Sequence, residues 1–229
     1  MKTIGLIGGV SWESTAIYYS IINREVQRRL GGFHSAKIAM ISVDFAELEI
    51  LARTSQWDAL AVRLSDVAHA LERAGAQMVL LCANTMHHDA DRVAQSVGIP
   101  LLHICDCTAE RIKVQGVKRV ALFGTGYTMN EDFYKGRLRA NGLDVFVPDA
   151  ADRAVIHRVI FEELVLGKVE ASSRRVFREI IARQVADGAQ GVILGCTELP
   201  MLVKPEDSAV PLFDTTEIHA LAAVDFALS

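Results

Sequence analysis

Two short strings hold the residue types that could do chemistry. One is Gly195-Cys196-Thr197-Glu198, a thiol flanked by a hydroxyl and a carboxylate. The other is Cys82-Ala83-Asn84-Thr85. Each follows an apolar run of strand type, Gly191–Leu194 and Met78–Leu81, and each run is preceded by Gly-Ala-Gln. Aligned on that shared tripeptide, the strings are 113 residues apart, from Gly75 to Gly188. In this register Cys196 stands opposite Ala83, and Cys82 stands opposite Gly195. A slip of one residue along a strand turns a side chain to the other face, so Cys82 does not replace a group missing at 83.

Thiolates act as bases where nearby donors or helix N-termini lower their pKa. A helix starting just after each string would supply that setting, and its N–H groups could hold a carboxylate. Asn84, Thr85 and Thr197 add side-chain donors. Groups aimed from two halves into one cleft suit removal of a proton from one face of a carbon and its return to the other. By spacing alone, Cys196 reads equally well as an inert buried cysteine.

The elements that must position these residues alternate. Strands are expected at Thr3–Ile7, Lys37–Ser42, Met78–Leu81, Leu101–Ile104, Lys118–Phe123, Val145–Val147, Gly191–Leu194 and Val210–Phe213. Helices are expected at Glu13–Arg29, Gln56–Ala74, His87–Ser96, Thr108–Val114, Glu131–Ala140, Asp152–Leu166, Ser172–Asp187 and Thr216–Ala227. Apolar strands alternating with helices imply parallel sheets covered on both faces. Lys2–Gly8 also pairs with Lys118–Gly124 at an offset of 116 residues, close to the first offset. Two near-equal offsets of half the chain indicate a duplicated α/β half rather than a solenoid. The expected fold is therefore α/β, with two similar Rossmann-like domains and a cleft between them, at the strand ends where such sheets bind ligands. Residues 1–114 with 214–229 would form the first domain, the last helix returning to it, and 115–213 the second.

Composition narrows the function. Apolar residues are 51% and charged residues 23% of 229, as in a folded globular protein. A formal charge of −4 argues against a nucleic-acid binder that works through bulk positive charge. No apolar run approaches the roughly 18 residues that suggest a membrane span, and no export signal opens the chain, so a cytoplasmic protein is expected. Four cysteines do not make a disulfide scaffold. Cys105-Asp106-Cys107 lacks the second pair that a zinc site wants, so no metal is expected.

The ordered strings resemble the cofactor-independent aspartate/glutamate racemase family over essentially the whole chain. They are Gly8-Gly9-Val10-Ser11-Trp12-Glu13-Ser14-Thr15, His34-Ser35-Ala36, Ser42-Val43-Asp44-Phe45, Asn84-Thr85-Met86-His87, Gly124-Thr125-Gly126-Tyr127-Thr128-Met129, Gly195-Cys196-Thr197-Glu198 and Phe213-Asp214-Thr215-Thr216. Ser-Trp-Glu-Ser-Thr and Asn-Thr-Met-His look closest to broad-specificity amino-acid racemases and L-aspartate/glutamate-specific racemases. The resemblance implies two similar domains, an acidic amino acid as small-molecule substrate, a homodimer, and no pyridoxal phosphate or metal. It also implies a two-base mechanism in which Cys196 takes the α-proton of the L-enantiomer. Position 83 should hold the other acid/base, a Cys or Thr; here it is Ala83.

A methyl group neither gives nor takes a proton. Ala83 is then a Thr→Ala or Cys→Ala change that blocks turnover, or the mark of a one-cysteine enzyme such as the arylmalonate decarboxylases. Alternatively a water, Thr85, His87 or Cys82 replaces the second base. The first is favoured, because the surrounding motif otherwise reads as an intact racemase, and it implies impaired racemisation. By position, Asn84, Thr85 and Thr197, with backbone donors at Ser11 and Trp12, would hold the α-carboxylate. Thr125, Tyr127 and Thr128 come from the matching loop of the second half. Turn and N-cap duty is the simpler role for its threonines. Glu198 would orient Cys196 or the substrate ammonium. The distal carboxylate has no evident partner. Asp44-Phe45-Ala46-Glu47 lacks the basic residue some relatives carry there, which leaves Lys168, His87, His88 and His157.

Three rivals stand beside this reading. Gly5-x-x-Gly8-Gly9 only weakly suggests a dinucleotide site, because Leu6 and Ile7 break the Gly-x-Gly-x-x-Gly fingerprint. A single-cysteine decarboxylase fits the Ala83/Cys196 pair. A non-catalytic amino-acid-binding relative is the third.

Overall fold

The computed structural model describes all residues, Met1–Ser229. The chain divides into two compact units, Met1–Ile104 with Thr216–Ser229, and Cys105–Thr215. In the first, β1 (Ile4–Gly8), α1 (Trp12–Leu30), β2 (Ile38–Ser42), α2 (Phe45–Arg53), α3 (Trp57–Arg73), β3 (Met78–Leu81) and α4 (Ala90–Ser96) follow in order. Its three strands are parallel, in the order β2-β1-β3. Next along the chain come α5 (Ile104–Val114), β4 (Arg119–Gly124), α6 (Gly126–Asn130), α7 (Asp132–Ala140), β5 (Asp144–Phe146), α8 (Ala150–Glu162), α9 (Ala171–Ala186), β6 (Gly191–Gly195), α10 (Leu199–Leu202) and β7 (Leu212–Asp214). The second sheet is also parallel, in the order β5-β4-β6-β7. The closing helix, α11, spans Thr215–Leu228. No helix is long and apolar enough to cross a membrane.

The duplication extends to single residue pairs in the sheets. Ile7 is paired with Leu81 in the first sheet, and Phe123 with Leu194 in the second. These are the same register step under the two sequence offsets. The Gly-Ala-Gln tripeptide does one job in both copies. Gly75 and Gly188 end α3 and α9 with φ of +85° and +95°, where a side chain would be strained. The N–H of Ala76 returns to the Leu71 carbonyl, and that of Ala189 to Gln184, both at 3.0 Å. The Gln77 side chain then accepts the N–H of Thr3 at 3.1 Å. Gln190 accepts those of Lys118 and Arg119, each at 3.0 Å. The motif thus ties a helix end to the start of the central strand.

Burial follows the pleat and the helical stripe. β1, β3 and β6 are buried along their whole length, as strands covered on both faces must be. In α3, Leu60, Leu64, Ala68 and Leu71 line one buried face.

Several expectations need correction. Leu101–Ile104 is not a strand: Leu101 makes a single parallel bridge to Val79, and Ile104 already opens α5. That bridge occupies the place β7 takes in the other sheet, so the fourth strand has shrunk to one residue. The expected helix Asp152–Leu166 is α8 followed by a separate 3-10 turn at Leu164–Leu166. The expected strand Val210–Phe213 is β7, beginning at Leu212. A helix at Phe45–Arg53 was not anticipated. Asp44 caps it, accepting the N–H of Ala46 at 3.0 Å. The expected boundary at 114/115 falls after α5, whereas Cys105–Val114 groups with the second unit. The cause is polar: Asp106 forms a two-pronged pair with Arg137, at 2.8 and 2.7 Å, and accepts from Asn141.

Candidate active site

At the end of β1 the chain turns through Gly9, whose φ is +86°. A Cβ there would lie 2.1 Å from the Val43 carbonyl oxygen, so only glycine fits. Ser11 follows as the N-cap of α1, with its hydroxyl accepting from the Ser14 N–H at 3.4 Å. Thr15 accepts the N–H of Gly9 at 2.9 Å and donates to the Ser11 carbonyl at 3.2 Å. Ser11 is buried, while Trp12 is 68% exposed.

The end of β3 carries Ala83, which is 8% exposed and belongs to the apolar cluster with Ile7, Val79 and Leu81. Cys82 belongs to a different cluster, with Leu6, Tyr18 and Leu80. The two neighbours thus lie on opposite sheet faces. Burial also pushes the Cys82 thiol far above its ordinary pKa. Cys82 is therefore no candidate for the second base. Asn84 is buried and Thr85 half-buried, and both lie at the 3-10 turn Thr85–Asp89.

His87 was expected against substrate, yet both its ring nitrogens meet backbone of its own unit. Nδ1 is 2.8 Å from the Ala83 carbonyl oxygen, and Nε2 accepts the N–H of Ile104 at 3.3 Å. The acceptor role of Nε2 places the proton on Nδ1, so a neutral ring pins the carbonyl of the residue at issue. His103 and His219 pack against the ring, with centroids at 4.7 and 5.7 Å. His219 in turn accepts from Tyr18 and donates to the Leu102 carbonyl, both at 2.9 Å. His88 stacks on Trp57 at 3.9 Å and pairs with Asp89.

In the second unit, Gly124 and Gly195 are paired across β4 and β6. A Cβ on Gly195 would meet the Phe123 carbonyl at 2.8 Å, which explains the glycine before the thiol. Cys196 comes next and is 7% exposed. Its Sγ donates to Oε2 of Glu198 at 3.0 Å, and the Thr197 hydroxyl donates to the same oxygen at 2.7 Å. Burial first, then the charge and hydrogen bond of Glu198, push the thiol well above its ordinary pKa. The lowered pKa expected from a following helix is thus reversed. α10 starts only at Leu199 and has four residues, whereas a carboxylate stands against the sulfur.

Thr125 caps α6, accepting the Thr128 N–H at 3.3 Å, and its hydroxyl meets that of Thr128 at 3.1 Å. Thr128 is fully buried and Tyr127 half-buried. Thr125 thus caps the helix, and the Thr128 hydroxyl is held against it. Lys168 is exposed beyond the 3-10 turn. Arg153 and His157 line a depression of about 590 Å³ with Tyr127, Asn130 and Glu131.

The equivalence of positions 83 and 196 now has a structural basis. Each lies two residues beyond a matched pair, Ile7 with Leu81 and Phe123 with Leu194. One holds a thiol against a carboxylate, and the other holds a methyl over a histidine-clamped carbonyl. A thiol with an adjacent acceptor can give up its proton and act as a base.

The chain matches the family described as Asp/Glu/Hydantoin racemase over residues 7–223. It is 24% identical, over 96% of each chain, to the broad specificity amino-acid racemase RacX of Bacillus subtilis (strain 168). A crystal structure from Yersinia pestis, provisionally designated an Asp/Glu racemase, is 50% identical over 100% of both chains, with a TM-score of 0.95. An aspartate racemase homologue from Pyrococcus horikoshii OT3 is 37% identical over 100% of both, with a TM-score of 0.87.

Proposed function

The chain belongs to the Asp/Glu/hydantoin racemase family, and on that premise we propose that it binds acidic amino acids and exchanges their α-proton at Cys196 without a cofactor. Ala83 stands where the second acid/base of a racemase would be, so inversion is impaired. The observation that supports this most is the shared register of Ala83 and Cys196 in two copies of one fold.

The proposed chemistry follows the protons. The Cys196 proton passes along its hydrogen bond to Glu198 and leaves a thiolate. The thiolate takes the α-proton of the L-enantiomer, and the carbanion is stabilised by the adjacent carboxylate. Inversion then needs a proton delivered to the opposite face by position 83. With a methyl there, the carbanion recovers a proton from Cys196 and configuration is retained. Asn84, Thr85 and Thr197, with the Ser11 and Trp12 backbone, are assigned to the α-carboxylate, and Tyr127 to the side of the substrate. His87 becomes a positioning residue for the Ala83 loop. We place the reaction in the cytoplasm and the chain in a homodimer, whose mass sedimentation analysis reads directly.

The test is restoration. Ala83→Cys or Ala83→Thr should convert L-glutamate or L-aspartate into the D-enantiomer, followed by chiral chromatography. Failure of both variants to racemise, with no α-hydrogen exchange by the unaltered chain, would remove the assignment. A single thiol, with a methyl at the matching position of the other copy, also favours a second reading, decarboxylation, and CO₂ release from an arylmalonate would identify it.

A further inference from the structure

Two of the three buried histidines hold backbone at the point where the chain leaves the first unit. His87 lies in the 3-10 turn after β3, and its Nδ1 donates to the Ala83 carbonyl at 2.8 Å. Its Nε2 accepts the N–H of Ile104 at 3.3 Å. Ile104 is the last residue of that stretch of the first unit and the first of α5. The opening N–H groups of a helix have no carbonyl partner within it, so the ring supplies the acceptor that α5 lacks at Ile104. His219, on α11, accepts the Tyr18 hydroxyl and donates to the Leu102 carbonyl, both at 2.9 Å. Just upstream, backbone suffices: Val79 donates to Pro100 at 2.9 Å, and Leu102 donates to Val79 at 3.0 Å.

The two histidines answer a proton differently. A protonated His219 keeps its donor on Leu102, and the Tyr18 hydroxyl can turn to accept from Nδ1. A protonated His87 carries N–H at both positions. Its Nε2–H then meets the N–H of Ile104, donor against donor, and that bond is lost. A positive ring also stands at the helix N-terminus, where the macrodipole disfavours it. The titratable groups against His87 are the rings of His103 and His219, at 4.7 and 5.7 Å, with Tyr18 of α1 behind His219. Neither imidazole can carry a negative charge to offset one on His87. In the same turn Asp89 is paired with His88, and on α3 and α4, which pack on it, Asp58 is paired with Arg92.

We propose that His87 is a latch that holds only while its ring is neutral: it ties the carbonyl at position 83 to the start of α5, and uptake of a proton opens it at the Ile104 end. In the racemase reading, that carbonyl belongs to the residue whose side chain decides inversion, so mild acid loosens the loop that positions it. This consequence rests on the racemase reading; the latch itself does not.

The test is amide hydrogen exchange of the full chain at about pH 7.5 and about pH 5, corrected for the intrinsic effect of pH and read on overlapping peptides that resolve Ile104. This range stays above that in which His219 titrates, about 4. At the lower pH Ile104 should lose about 10–100-fold in protection, the worth of one hydrogen bond to a buried partner, while β6 keeps its own. His87→Gln offers a donor and an acceptor but does not titrate, so its Ile104 protection should not depend on pH. His87→Leu should lack that protection at both values. No loss in the unaltered chain, or an equal loss in His87→Gln, overturns the proposal. Should the variants fail to fold, ¹⁵N NMR of the His87 ring in the unaltered chain decides. A proton on Nδ1 alone at neutral pH, with the Ile104 amide shifting as the ring titrates, is expected; a proton on Nε2 at neutral pH overturns the latch. Exchange does not depend on turnover, so a failed latch leaves the racemase reading standing, and a chain that never racemises can still show the latch.

Discussion

The sulfur of Cys196 lies 3.0 Å from Oε2 of Glu198, the same oxygen that receives the Thr197 hydroxyl at 2.7 Å. The resting group is therefore a thiol with its proton acceptor already in place. Replacing Glu198 by Gln removes the charge that opposes a thiolate. Glu198→Gln should speed alkylation of Cys196 by iodoacetamide near pH 8. One unit of lowered pKa corresponds to about a tenfold rise in thiolate. A rate that falls or stays level would show that Glu198 does not control the thiol.

His219 makes stability depend on pH. Burial lowers its pKa from 6.5 to about 4 in the folded chain. The unfolded chain therefore takes up a proton before the folded one does. The contribution, about 3 kcal/mol for a shift of this size, is present above pH 6.5 and is lost as pH falls towards 4. Urea midpoints measured at pH 7 and 4.5 should separate, and His219→Gln should narrow the gap. An unchanged gap would contradict the account of the buried Tyr18–His219 contact.

The duplicated tripeptide gives a paired prediction. Gln190 receives two backbone N–H groups, and Gln77 has one. Gln190→Ala should cost about 1 kcal/mol, and Gln77→Ala about half of that, since both sites are exposed. Denaturant unfolding of the two variants compares them directly. A larger loss at Gln77 would break the proposed parallel.

Much of this architecture was legible because apolar strands and terminating glycines leave strong local signals. The repeat was visible from Gly75-Ala76-Gln77 and Gly188-Ala189-Gln190 alone. The alternation of faces along β3 was equally legible, and Cys82 and Ala83 pack into separate clusters. What stayed hidden depends on which partner each side chain or edge finds in the fold. The edge at Leu101 reads as a strand, but only one bridge forms. The place of α5 is fixed by Asp106 and Arg137, 31 residues apart. The side-chain direction of His87 and the state of the Cys196 thiol follow from hydrogen bonds that no spacing rule supplies.

The most direct test of the central claim follows L-glutamate in D₂O by proton NMR, for loss of the α-proton, and by chiral chromatography, for configuration, with the unaltered chain and with Ala83→Cys. The account predicts loss of the α-proton signal with L-configuration retained for the unaltered chain, and deuterated D-glutamate accumulating with Ala83→Cys. D-glutamate formed at equal rates by both would show that position 83 carries no proton. A static α-proton signal with both would show that Cys196 is not the base.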